Sequence, residues 1–239
     1  MRLLPLILLS SAYAFIPSLN YYSRRDILTT PIMTTFISSS MEKKEIPLHS
    51  TPEQDSSKQE SPNGGIYGSQ FNIRVVGEIS EENCARLADV LINCDNAAKQ
   101  IQQSENISNV ISLHITSGGG ALLPTLYICD LIQLIDTDVH TFVDGYACSS
   151  ASLISVCGNK RFITKHSSML IHQLSADISG KFVEIKDKFN NADQLMNNVA
   201  DIYLSKTNIT LQKLVYLLQH EIMLNSTTCL QLGLVDEII

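Results

Sequence analysis

Downstream of residue 66, short β-rich apolar runs alternate with longer segments of helical spacing. Phe71 to Ile79 predicts a strand, and Glu81 to Gln103 predicts a helix through Leu87, Val90, Leu91 and Ala98. Val110 to Thr116 reads as a second strand, and Ser117-Gly118-Gly119-Gly120 after it as a sharp turn. Leu122 to Ile135 predicts a buried helix, with Pro124 tolerated in its first turn. Val139 to Asp144 is the next strand, followed by a small-residue helix, Cys148 to Val156, closed by Gly158. Lys160 to Thr164 and Met169 to His172 read as two more strands. Helices follow at 181–205, Leu211 to Glu221 and Ser226 to Leu232, the last ended by Gly233; Leu234 to Ile238 reads as a final strand or turn. Repeated strand-then-helix order implies an α/β domain with right-handed crossovers.

Upstream the pattern is different. Arg2, the apolar run Leu3 to Leu9 and the small-x-small site Ala12-Tyr13-Ala14 read as a signal peptide over 1–14, too short to span a bilayer. Phe15 to Arg25 is rich in Ser, Tyr and Arg and has no acid before Asp26, which is transit-peptide composition. A cleavage site followed at once by Phe15 resembles the bipartite plastid leader of algae with complex plastids. The expected address of the mature chain is therefore the plastid stroma, with 1–39 as leader. Arg24-Arg25 ahead of a mildly apolar run leaves a thylakoid-lumen address open, and 1–14 alone would leave the secretory pathway. Residues 40–65 are charged and turn-rich and read as a flexible linker, which puts the folded domain at 66–239.

Composition narrows the function classes. Of 239 residues 44% are hydrophobic, enough for a sizeable core in one domain. A net charge of −7 without a basic patch argues against nucleic acid as a partner, and no membrane association is expected of the mature domain. The six cysteines are scattered, with neither CxxC spacing nor a Cys/His cluster, so they read as small buried hydrophobes and no metal is expected. A reducing stroma suits that reading.

Three segments carry candidate chemistry. Gly145-Tyr146-Ala147-Cys148-Ser149-Ser150-Ala151-Ser152 joins a strand to a helix through small residues. A serine at such a junction suits an activated nucleophile beside backbone N–H donors, and equally suits a plain helix N-cap. Ser149, Ser150, Ser152 and Cys148 all compete for the role. The glycine run at 118–120 allows close backbone approach, but no Gly-Lys-Ser/Thr follows, so it is not a phosphate loop. Ser168-Met169-Leu170-Ile171-His172-Gln173 displays a histidine at the end of an apolar strand, with His114, His166 and His220 as rivals for the base.

In this order the three segments resemble the proteolytic subunits of Clp proteases, over roughly Phe71 to Ile239. Gly-x-Ala-x-Ser at 145–149 is similar to the family's nucleophile segment, and Met-Leu-Ile-His-Gln at 169–173 to its histidine segment. Lys160-Arg161-Phe162 and Gly-Leu-Val-Asp-Glu-Ile at 233–238 resemble its intervening strand and closing signature. The resemblance implies a crotonase-like α/β fold of repeated ββα units, with Ser149 as nucleophile, His172 as general base and acid, and the N–H groups of Gly120 and Ser150 as oxyanion hole. Glu221 stands where the family carries its third residue, an aspartate. Gly118, Ser150 and Leu174 also depart from the family's pattern. The resemblance further implies two stacked seven-membered rings, homomeric or mixed, joined through the helix near 181–205. A hexameric AAA+ unfoldase would use ATP and feed in unfolded polypeptides; this chain has no nucleotide motif and no cofactor of its own is expected. Two rivals share the fold: a ring subunit without catalytic power, and a crotonase-type acyl-CoA enzyme, which needs no Ser-His pair.

Overall fold

A computed structural model describes residues 64–69 and 71–239. The expected leader lies outside the described residues, as does the expected linker apart from Gly64 and Gly65. Those two glycines belong to strand β1 (Gly64–Ser69), so this strand includes the last two residues of the segment read as linker. β1 is held by its backbone: it pairs antiparallel with β2 (Asn72–Ile79) from Gly64↔Gly77 to Ser69↔Asn72, a pairing that needs no apolar side chain at 64 or 65.

The chain continues through α1 (Glu81–Glu105), β3 (Ile111–Gly120), α2 (Leu122–Leu134), β4 (Val139–Cys148), α3 (Ser150–Val156), β5 (Lys160–Ile163), β6 (Ser168–Leu170), α4 (Phe182–Lys206), α5 (Leu211–Leu218), β7 (Met223–Asn225), α6 (Ser226–Gln231) and β8 (Glu237–Ile238). An eight-stranded sheet runs β1-β2-β3-β4-β5-β8, with β6 on β4 and β7 on β6. Only β1/β2 and β6/β7 are antiparallel; the parallel remainder is what repeated β-then-α order requires. β7 was not legible as a strand; three residues flanked by helices carry no period-2 signal.

The core follows the alternation along the strands. In β3, Ile111, Leu113 and Ile115 are fully buried, while Ser112, His114 and Thr116 face the other way and are half-buried. α1 lays Leu87, Ala88 and Leu91 into the core; the Ser80 hydroxyl accepts the Asn83 N–H at its start (3.1 Å), and Asn106 ends it in the left-handed region (φ 56°). Cys84, Cys94, Cys129, Cys157 and Cys229 are buried in this core and Cys148 is half-buried, so the small-hydrophobe reading describes five of the six. Gly158 follows the end of α3 but not as a left-handed cap; a Cβ there would lie 2.6 Å from Thr141 Oγ1, so its role is close packing against β4.

Arg161 locks the C-terminal elements together. It donates to Lys206 O (2.7 Å) at the end of α4, to Gly233 O (2.8 Å) after α6, and to both oxygens of Asp236. Burial pushes the Asp236 carboxyl up, but the Arg161 side-chain and backbone bonds outweigh it and hold it below its usual value. Because the folded state binds that proton less readily, the contribution is present above the unfolded carboxylate pKa, about 3.9, and is lost as pH falls through the depressed value. Arg161→Ala is expected to lower stability by about 2–3 kcal/mol at pH 7, with a smaller gap to wild type below about pH 4, measured by denaturant unfolding at both pH values.

Candidate active site

β4 changes partner along its length. Its first half pairs with β5, His140 to Val143 against Lys160 to Ile163, and its last three residues pair with β6, Tyr146 to Cys148 against Ser168 to Leu170. Gly145 sits at the changeover with φ 101°, a conformation that suits glycine. Because β4 and β6 are parallel and end in register at Cys148↔Leu170, the residues just beyond them, Ser149 and His172, emerge at the same end of the sheet.

Ser149 is the turn residue between β4 and α3, with φ 55° and ψ −126°. A non-glycine residue there costs about 1–3 kcal/mol and persists only where its surroundings over-determine it. They do so here. The Ser149 N–H donates to Leu170 O (2.9 Å), and Ser149 O accepts both the Ser152 N–H (3.0 Å) and the Ser152 hydroxyl (2.6 Å). Its own hydroxyl makes no capping bond to α3. The plain N-cap reading therefore fails, and the geometry is that of a strained strand-to-helix elbow that exposes a hydroxyl.

The glycine run is not a sharp turn, as its composition predicts, but the extended end of β3, with Gly119 and Gly120 paired to Glu78 and Ile79. Gly119 and Gly120 are needed for room, whereas a Cβ on Gly118 would meet nothing within 4 Å. A Cβ on Gly119 (φ 96°) would lie 2.7 Å from both Cys148 O and Ser149 Cβ, and one on Gly120 (φ 153°) 2.3 Å from Ile79 O. Gly119 thus lets β3 approach the elbow. Gly119→Ala is expected to displace Ser149 and lower peptidase turnover about 100-fold, with the circular dichroism of the folded protein retained.

His172 lies two residues past β6, not at its end. The following N–H, of Gln173, donates to Leu218 O (2.9 Å), which ties this segment to the end of α5. Glu221 is also outside the helix expected to contain it: α5 stops at Leu218, and Glu221 sits in the connection to β7. From there it reaches His172, whose Nδ1–H donates to Glu221 Oε1 (2.8 Å). The Glu221 side chain is 72% exposed and that of His172 25%. The carboxylate's charge is screened by water at this exposure, and what the contact can do is fix the ring's orientation and tautomer.

Ser149, His172, Gly120 and Ser150 line one cavity of about 270 Å³, with Leu122, Leu153, Leu174, Met196 and Val199 as its apolar walls. No hydrogen bond joins the Ser149 hydroxyl to His172 among the described residues, a looseness common in active sites without substrate. As first residue of α3, Ser150 has an N–H with no acceptor inside the helix. The rivals are buried, engaged in other bonds or distant from this cavity. Burial and the Glu221 charge push the Cys148 thiol up, away from thiolate character. Ser150 Oγ is buried, and Ser152 Oγ is bonded to Ser149 O and to Tyr203. His114 pairs with Asp144 (2.7 Å) on the other face of the sheet, the His220 Nδ1–H donates to Tyr216 O (2.6 Å), and His166 is exposed.

Sequence reasoning missed the walls that α4 supplies and the Ser152–Tyr203 contact. The buried stripe Ala192, Met196, Val199, Ala200 and Tyr203 marks an inward helix face but not that part of it borders a cavity.

Comparison with known proteins identifies the family. The family model described as Clp protease matches residues 70–239. The ATP-dependent Clp protease proteolytic subunit 1 of Borreliella burgdorferi is 29% identical over 179 residues, covering 73% of this chain and 88% of that protein. The ATP-dependent Clp protease proteolytic subunit of Borreliella afzelii is 28% identical, with 73% and 87% covered. With a family model spanning nearly the whole described domain and relatives covered almost end to end, the chain belongs to the Clp protease family, as a proteolytic subunit with a crotonase-like α/β fold.

Proposed function

We propose that Ser149, His172 and Glu221 form the catalytic triad of this serine endopeptidase, with the N–H groups of Gly120 and Ser150 as its oxyanion hole. The observation that carries the reading is the juxtaposition in one cavity of an uncommitted hydroxyl on a strained elbow and a histidine whose Nδ1–H is already given to a carboxylate. With Nδ1 protonated, Nε2 carries the lone pair. It takes the Ser149 proton as Oγ attacks the peptide carbonyl, and the resulting oxyanion is held by the two N–H groups. His172 then gives that proton to the leaving amine. Water, deprotonated by the same nitrogen, releases the acyl group and restores Ser149. Glutamate serves as third member because the role is orientation and imidazolium stabilisation, which its contact supplies.

The substrate class is unfolded polypeptide. A second hollow of about 550 Å³ shares Leu122 and Leu174 with the first and runs along α4 past Ala192 and Leu195, which suits an extended chain rather than a compact ligand. The working form is a double ring, homomeric or mixed. The start of α4 leaves Phe182, Val183, Ile185 and Phe189 exposed, an apolar face that assembly would cover. The relatives are named as subunits of an ATP-dependent protease; by extension the partner here is an AAA+ unfoldase that uses the ATP, and this chain binds none. The compartment is the plastid stroma, on the composition of residues 1–39; a mature N-terminus at Phe15 alone would argue for the secretory route.

The test is degradation by the purified protein. Short fluorogenic peptides are cut without nucleotide, and a stably folded substrate is cut only with an AAA+ partner and ATP. Absence of peptide turnover in an assembled ring would move the reading to a non-catalytic ring subunit.

A further inference from the structure

We infer that Tyr203 and Ser152 form a positioning relay that holds the Ser149 elbow in its reactive shape. The inference rests on Ser149 being the nucleophile. Both residues are buried, Ser152 completely and Tyr203 to 1% exposure, and their hydroxyl oxygens lie 2.6 Å apart. Ser152 Oγ also lies 2.6 Å from Ser149 O and 3.3 Å from Leu170 O.

A serine hydroxyl has one proton. A carbonyl oxygen only accepts, and Ser149 O lies nearer than Leu170 O, so the proton goes to Ser149 O and in the contact with Tyr203 the phenol is the donor. The chain is therefore directed: Tyr203 O–H to Ser152 Oγ, and Ser152 O–H to Ser149 O. Burial raises the Tyr203 phenol well above its usual value, so the donor keeps its proton throughout the working pH range. Hydrogen bonds in such a chain polarise one another, which strengthens the terminal bond to Ser149 O.

That terminal acceptor gives the relay its function. Ser149 O defines ψ of the strained residue, and it accepts both the N–H and the hydroxyl of Ser152. Ser149 N–H is held by Leu170 O on β6, the strand that leads to His172. Both polar backbone atoms of the nucleophile are thus clamped, and the clamp on the carbonyl is reinforced from α4. Tyr203 also lines the cavity beside Met196 and Val199, so the helix that walls the cavity is the one that braces the elbow. A phenylalanine would fill the same volume; the hydroxyl adds only the relay.

The test compares wild type, Tyr203→Phe, Ser152→Ala and the double variant as full-length protein, by kcat and KM on a fluorogenic peptide and by the rate of fluorophosphonate labelling. Tyr203→Phe keeps the ring and therefore the packing. It is expected to lower kcat and the labelling rate about fivefold, the effect of one hydrogen bond, with KM unchanged. Ser152→Ala is expected to lose more, and the double variant to match Ser152→Ala within about twofold, since Tyr203 acts only through Ser152. Wild-type rates in Tyr203→Phe, or losses that multiply in the double variant, would overturn the relay. Should Ser152→Ala not fold, the Tyr203→Phe comparison decides alone. Failure of the wild type itself to label is a different result: it removes Ser149 as nucleophile, and the relay with it.

Discussion

Ser149→Ala is expected to abolish peptide hydrolysis, with kcat down by about a million-fold, the loss that removal of a serine nucleophile from an intact triad produces. The size of the effect follows from the absence of a substitute. Of the neighbouring hydroxyls and thiol, Ser150 Oγ is buried, Ser152 Oγ is bonded to the elbow's own carbonyl, and the Cys148 thiol is held protonated by burial and by the charge of Glu221. Folding is not at stake, because the Ser149 hydroxyl caps nothing. Alanine also tolerates the elbow's positive φ no worse than serine does. The variant should assemble and melt as wild type while turning over no peptide, a separation that steady-state kinetics and a thermal melt read directly.

The second large effect concerns Glu221. In a triad whose carboxylate is buried, replacing it with the neutral amide costs about ten-thousand-fold through loss of the correct histidine tautomer. Glu221 is mostly exposed, so water can partly take its place at His172 Nδ1. Glu221→Ala is accordingly expected to lower kcat by about a hundred-fold, a smaller loss than in the buried case, with little change in KM. Glu221→Asp is the sharper probe. It restores the residue type that the family resemblance expects, yet it withdraws the carboxylate by one methylene from a contact built for glutamate at 2.8 Å. The account predicts that it too loses activity, about tenfold, an intermediate value on the scale of misplaced catalytic groups. Equal or higher activity in Glu221→Asp would mean that the backbone at 221 adapts to either length.

What could be read from residues alone, and what could not, divides along physical lines. Strand and helix types were legible because each long element carries its own periodicity, as in Leu87, Leu91 and Ala98 of α1 or Ile111, Leu113 and Ile115 of β3. Ser149 and His172 stand out as candidates because their segments resemble a family's. The corrections concern contacts between distant segments. The glycines at 118–120 have turn composition, but pairing with β2 extends Gly119 and Gly120 as strand; the approach of Cys148 and Ser149 explains the glycine at 119, and that of Ile79 the one at 120. Glu221 has a helical context in sequence, yet α5 ends at Leu218 and leaves it free to turn toward His172. The Ser152–Tyr203 contact spans 51 residues and has no local signature whatever. The partner change along β4, which brings the segments of Ser149 and His172 to one end of the sheet, is likewise a property of the whole sheet.

The most direct test of the central claim is to treat the full-length protein with a fluorophosphonate probe and locate the adduct by peptide mass mapping. The account predicts one adduct, on Ser149, absent in Ser149→Ala and slowed strongly in His172→Ala. An adduct on another serine, or none in a folded and assembled protein, would contradict it.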